Sequence, residues 1–206
     1  MANNTVLNRL FTISSLHDIV ENPDNSVYKA ILGKYIEYST NEHPITNKEA
    51  FSSIYTYLKK HYRNEYYYKN TILNRLLLGA HSITTTTALT QIPIATSKAD
   101  FVMINGKAVV YEIKTELDNL ERLDSQIENY YKAFDHVCVV TCEEYADVLL
   151  SRFAYSPVGI YTISNSEYIK HVKEPQLNNA NLDSSVIFKV LNKPEYESII
   201  QSFYGS

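Results

Sequence analysis

The 206-residue sequence has no tryptophan, two cysteines, five glycines and six prolines. Cys138 and Cys142 are too few and too close together for the disulfide framework of a small secreted domain. His136 precedes them, but strand alternation and the missing fourth ligand argue against zinc, and both cysteines read as buried structural residues. No apolar run approaches the ~20 residues of a membrane span, and no signal peptide opens the chain, so a cytoplasmic protein without membrane contact is expected. Internal repeats, a low-complexity linker, a Gly-rich phosphate loop and a nucleophile elbow are all missing. Their absence argues against solenoids, P-loop nucleotide-binding proteins and α/β-hydrolases. A basic excess is missing too. The net charge is −4, so any nucleic-acid ligand must be argued from how charge is distributed.

What remains is an ordinary globular composition, 45% hydrophobic and 20% charged, in a chain long enough to bury a sizeable core. One main domain with an accessory region is expected. The densest information lies between Ser97 and Thr115, which reads as a β-hairpin. Phe101 to Ile104 and Ala108 to Ile113 are apolar runs, and Asn105-Gly106 between them is a strong turn signal because both residues tolerate φ > 0. Three charges interrupt the apolar runs: Asp100 on the first strand, Glu112 and Lys114 on the second. Charges on a buried strand are costly unless paired or bound to a metal.

Glu112 and Lys114 share one strand face, roughly 6–7 Å apart. A two-residue loop would send Asp100 to the opposite face. A three-residue connection, Asn105-Gly106-Lys107 with Gly106 left-handed, sets Asp100 opposite Glu112, and this register or an equivalent bulge is expected. Two carboxylates and a lysine suit metal-assisted phosphodiester hydrolysis, in which hard oxygen ligands hold Mg²⁺ and the lysine orients water or offsets charge on the phosphate. The plain alternative is an ion pair at a sheet edge.

Downstream, Leu120, Leu123, Ile127, Tyr131 and Phe134 recur at helical spacing from Asp118 onward, flanked by Gln126 and Tyr130 one turn apart. A buried strand from His136 to Thr141 follows. With its elements in this order, the chain resembles the PD-(D/E)XK nuclease superfamily, the restriction-endonuclease-like fold, and its helix is similar to the Gln-Xaa₃-Tyr helix of the RecB-like branch. Asp100, Glu112-Ile-Lys114, Gln126 and Tyr130 carry the resemblance over about residues 63 to 163, and the wording is similar to that of small bacterial and phage members. No proline precedes Asp100, where Lys98-Ala99 stands. The resemblance implies an acidic residue from the preceding helix, and Glu65 is the one acid there, although a first-turn glutamate also favours the helix dipole. Asp100, Glu112, Lys114, Gln126 and Tyr130 are then the catalytic set, and Glu65, Asp100 and Glu112 the Mg²⁺ ligands, with Mn²⁺ as a substitute.

Between Phe51 and Ala80, Lys59, Lys60, Arg63, Lys69 and Arg75 face only one acid, Glu65, and are interleaved with six tyrosines. Such a pattern holds phosphates and stacks bases, or else is a solvated helix face with tyrosines packed inward. We take Lys59, Lys60, Arg63 and Lys69 as the candidate DNA contacts. The expected fold is α/β: a central mixed sheet of four or five strands flanked by helices. Residues 1–60 form a helical extension, 61–163 the nuclease-like core, and 164–206 a polar loop with C-terminal helices. Thr46 and Glu49 make a capping box opening a helix to about Lys60, and a second helix runs from about Arg63 to Leu78, stopped by Gly79. The expected function is a Mg²⁺-dependent deoxyribonuclease in phage defence, counter-defence or mobile-element biology, the biological setting following from the resemblance. Two rivals stand beside it: a catalytically silent nuclease-fold binding module, and an acidic inhibitor of a nucleic-acid-binding partner. A homodimer or a protein partner is compatible with either.

Overall fold

Gly106 takes the left-handed conformation, φ 70°, and this fixes the hairpin that carries the candidate residues. The computed structural model describes residues 4, 6–22, 24–36, 45–77 and 84–205. With Gly106 at the turn, strand β2 (Ser97–Asn105) pairs antiparallel with β3 (Lys107–Lys114) through Asn105 to Lys107, Val102 to Val110 and Phe101 to Tyr111. Continued by one residue, that register sets Asp100 opposite Glu112, as the longer connection predicts.

The chain divides into two units, Met1–Asn70 and Thr71–Ser206. The first is helical: α1 (Leu7–Leu10), α2 (Ile13–Glu21), α3 (Ser26–Tyr35) and α4 (Asn47–His61). Thr12 and Asn25 cap α2 and α3, and the Thr46–Glu49 capping box opens α4, so the backbone N–H groups of the first turn find partners. Leu7, Leu10, Ile31, Ile54 and Leu58 are among its buried core residues.

Helix α5 (Glu65–Ile72) carries the chain onward. It starts two residues later than periodicity suggests, because the Asn64 side chain accepts the Tyr67 N–H and so caps the first turn. The α-helical pattern ends at Ile72 and widens into a π-helical turn, Leu73–Leu77, and the expected stop at Leu78 and Gly79 falls outside the described residues.

The second unit is built on a six-stranded mixed sheet in the order β1-β2-β3-β4-β5-β6, one or two strands more than the four or five expected. β1 (Thr87–Ile94), β2 and β3 form an antiparallel meander. Helix α6 (Leu123–Tyr130) then crosses over to β4 (His136–Thr141), which runs parallel to β3. Helix α7 (Ala146–Arg152) leads to β5 (Gly159–Ile163), parallel to β4. The sixth strand, β6 (Ile169–Lys173), pairs antiparallel with β5, so the polar loop expected at the start of residues 164–206 contains a strand. Pro93 lies in the outermost strand β1, where a missing N–H costs no ladder bond on the open side. Helices α8 (Ser184–Val190) and α9 (Lys193–Tyr204) end the chain, split at Asn192, which caps α9 in a second capping box.

Alternation along β3 and β4 puts Val110, Val137 and Val139 on one face with Ile160 of β5, and α6 and α7 pack there through Leu123, Ile127, Tyr130, Leu149 and Phe153. Glu112 and Lys114 continue that face beyond Val110. The opposite face is aromatic, with Phe101, Tyr111, Tyr161 and His171 in successive ring contact.

Candidate active site

Glu112 and Lys114 are carried into the interior by β3, whose last six residues are buried. Burial is tolerated because the two are paired: the Lys114 ammonium donates to Glu112 Oε1 at 2.7 Å, with side chains 11% and 2% exposed. The same ammonium donates to Gln126 Oε1 at 2.9 Å. From the end of α6, the Tyr130 hydroxyl lies 2.6 Å from Glu112 Oε2 and 3.0 Å from the Lys98 carbonyl oxygen. Both Glu112 oxygens thus accept a hydrogen bond, and Gln126 and Tyr130, one turn apart on α6, hold the two ends of the Glu112–Lys114 pair. Burial first, and the nearby charge of Glu112 second, push the Tyr130 phenol far above its ordinary value, with Asp100 adding to the effect. Tyr130 is therefore a proton donor that stays protonated.

Asp100 stands on the neighbouring strand. Its Oδ2 accepts the Ile113 N–H at 2.9 Å, and the Gln91 side-chain amide lies 3.4 Å from Oδ1. The five residues singled out as catalytic are thereby gathered on β2, β3 and α6. Three further contributors have no signal in the sequence: the Ile113 N–H, the Lys98 carbonyl and the Gln91 side chain. The first two are backbone groups, and Gln91 depends on a backbone conformation that its residue type does not announce.

Glu65 belongs to the first unit, where it is the first residue of α5 and pairs with Lys69 one turn on. Among the described residues, no three His, Cys, Asp or Glu side chains are grouped to hold a metal. Asp100 and Glu112 do offer the hard oxygen donors that Mg²⁺ takes, and Mg²⁺ is commonly held by one or two carboxylates with water and substrate phosphate completing the shell. The donor chemistry fits the ion.

Of the candidate DNA contacts, Lys60 is exposed on the last turn of α4, while Lys59, Arg63 and Lys69 are half-buried. The tyrosines between them make ring contacts inside their unit: Tyr66 stacks on Phe11, Tyr55 meets both Phe11 and Tyr66, and Tyr57 meets Tyr35. Cys138 and Cys142 are buried and unbridged. Burial pushes the Cys138 thiol well up. No helix among the described residues is long and apolar enough to cross a membrane.

The architecture is that of an α/β protein with a buried polar constellation at the junction of a hairpin and a crossover helix. The chain belongs to the bacteriophage P4 protein cII family, whose model matches residues 58–205. It is similar to protein cII of Enterobacteria phage P4, at 30% identity over 106 residues. That match covers 52% of this chain and 34% of the phage protein, so the chain spans about a third of the length of this curated relative. No solved structure matches the chain.

Proposed function

We propose that this protein is a Mg²⁺-dependent nuclease acting on DNA, with Mn²⁺ able to substitute, built on a restriction-endonuclease-like core. One observation carries the reading: Tyr130, Glu112, Lys114 and Gln126 form one continuous hydrogen-bonded chain beside Asp100. The antiparallel meander followed by a crossover helix and a parallel strand is the order that the PD-(D/E)XK resemblance implies, and it supports the reading further. Asp100 and Glu112 would hold the ion, which when bound supplies Lewis-acid polarisation of the phosphate and a more acidic water. Lys114 sits beside that position with its charge fixed by two acceptors, ready to stabilise charge developing on the phosphate. Gln126 orients the lysine, and Tyr130 holds Glu112 in a single rotamer. Lys59, Lys60, Arg63 and Lys69 are the proposed phosphate contacts, and membership in a phage-protein family favours a role in phage or mobile-element biology.

Incubation with plasmid, linear and single-stranded DNA, with Mg²⁺, Mn²⁺ or EDTA, tests the reading. Metal-dependent cleavage lost in Asp100→Asn and reduced about 10²–10³-fold in Lys114→Ala is expected. Gln126→Ala should lower cleavage with little change in melting temperature, because Lys114 keeps its Glu112 partner. A second reading is favoured by the engagement of Glu112, whose two oxygens each already accept a bond from the protein itself. It holds that the fold binds DNA or a protein partner without cutting. Tight DNA binding with no cleavage under any metal would favour it over the enzyme.

A further inference from the structure

Three residues other than glycine have left-handed backbones among the described residues: Gln91, Ala95 and Glu167. Ala95 lies in the turn between β1 and β2, and Glu167 in the connection between β5 and β6, where a reversal of the chain requires such a conformation. Gln91 is different. It lies inside β1 with φ 58°. Thr90 pairs with Phe101 on one side of it and Ile92 with Ala99 on the other, so the register is the same before and after it. No residue is inserted and no turn is made, so connectivity does not call for the distortion. A left-handed conformation is uncommon for a residue with a long side chain, and such outliers cluster at functional sites. The residue that faces Gln91 in this register is Asp100, and the Gln91 amide lies 3.4 Å from Asp100 Oδ1 while the Ile113 N–H holds Oδ2.

We infer that Gln91 is a positioning residue of the Asp100–Glu112–Lys114 site, held in a strained backbone so that its amide fixes the orientation of the Asp100 carboxylate. The inference rests on the nuclease reading for its purpose, but its physical content, the hold of Gln91 on Asp100, is independent of activity. With Ile113 N–H on one oxygen and Gln91 on the other, the carboxylate is confined to one plane before any ligand arrives. Gln91 is exposed on the outermost strand, so its amide approaches Asp100 from the solvent side.

The test is a double-mutant cycle in thermal melts without metal or DNA, alongside cleavage assays. Gln91→Gly removes both the strain and the amide. In an Asp100→Ala background, the same change removes only the strain. Its stabilising effect there should exceed that in the wild type by about 2–4 °C in melting temperature. Equal shifts in the two backgrounds would overturn the inference. If Asp100→Ala fails to fold, the Gln91 side-chain amide proton shifts in wild type and Asp100→Asn read the same contact, and unchanged shifts would overturn it. In cleavage assays, Gln91→Gly should lower kcat about 10-fold with KM unchanged, and Gln91→Asn, which keeps an amide and tolerates the left-handed region, should recover part of the loss. Wild-type cleavage by Gln91→Gly would overturn the positioning role. A wild type that cuts no DNA would sink the nuclease reading, while the melting cycle still decides whether Gln91 holds Asp100.

Discussion

The Tyr130 hydroxyl stands 2.6 Å from a Glu112 oxygen and 3.0 Å from the Lys98 carbonyl, so one proton serves two acceptors. Its neighbour in sequence, Tyr131, is also buried, but its hydroxyl has no hydrogen-bond partner among the described residues. Two adjacent tyrosines therefore differ in what their hydroxyls do.

Removing each hydroxyl should therefore have different consequences for stability. Tyr130→Phe takes a donor from a buried carboxylate and should cost about 1.5–3 kcal/mol. Tyr131→Phe removes a desolvated hydroxyl that gains nothing in return, and should be neutral or stabilise by about 1 kcal/mol. Urea unfolding of the two variants measures both. Equal losses would mean that the Tyr130–Glu112 bond contributes nothing special.

The Lys114–Glu112 pair allows stability and catalysis to be separated. Lys114→Met leaves a buried carboxylate without its cation and should cost on the order of 3–5 kcal/mol. Adding Glu112→Gln removes the second charge and should restore most of that loss. In the nuclease reading, the charge-free double variant is folded and inactive. A double variant that still cleaves DNA would move the chemistry elsewhere.

Much of this arrangement is legible in the sequence, for identifiable reasons. Asn105-Gly106 fixes the hairpin because few residues accept a left-handed backbone, and once the register is set, alternation decides which face Glu112 and Lys114 take. The apolar stripe of α6 then dictates which way Gln126 and Tyr130 point. The regular helix is shorter than its pattern. Thr115 and Asp118 close a side-chain-bonded turn at 2.9 and 2.8 Å, which takes residues 116–122 out of the helical pattern. Strand β6 escapes a sequence reading because Ile-Lys-His-Val-Lys carries little apolar signal. Its place is set by distant partners, with His171 stacked on Tyr161 and the Lys173 amine bonded to the Phe153 and Ser156 carbonyls. The distortion at Gln91 escapes for another reason: glutamine carries no left-handed preference, so its backbone conformation is set by the fold around it.

Gly159 opens β5 opposite Cys138, and the chain after β6 passes close to it. A Cβ at this position would lie 2.6 Å from Pro175 Cδ and 2.7 Å from the Pro175 backbone nitrogen. Backbone cannot swing aside as a side-chain tip can, so Gly159→Ala should destabilise by about 1–3 kcal/mol. Gly33→Ala, where a Cβ meets nothing within 4 Å, is the matched control. It lies inside helix α3, and alanine should stabilise it by up to about 1 kcal/mol. Melting temperatures moving in the same direction would contradict the close approach of Pro175.

Glu174 ties the aromatic face of the sheet to the segment that follows β6. It accepts the Tyr161 hydroxyl at 2.6 Å and the His171 Nδ1–H at 2.7 Å. Burial acts to raise its pKa, but the Tyr161 and His171 hydrogen bonds outweigh it, and the carboxyl ends below its ordinary value of 4.5. A carboxylate whose folded value is depressed contributes stability that is fully present above its unfolded value and is lost as the pH falls through the folded one. The carboxylate contribution of Glu174 is therefore intact at neutral pH and is lost only as the pH falls below 4.5 and through the depressed folded value. The side chain is 64% exposed, so solvent screens the interaction and the effect is small. Glu174→Gln should lower the melting temperature slightly at pH 7, and the gap between variant and wild type should narrow as both are titrated downward through and below pH 4.5. A gap that is constant across this range would show that the contribution of Glu174 does not depend on its charge.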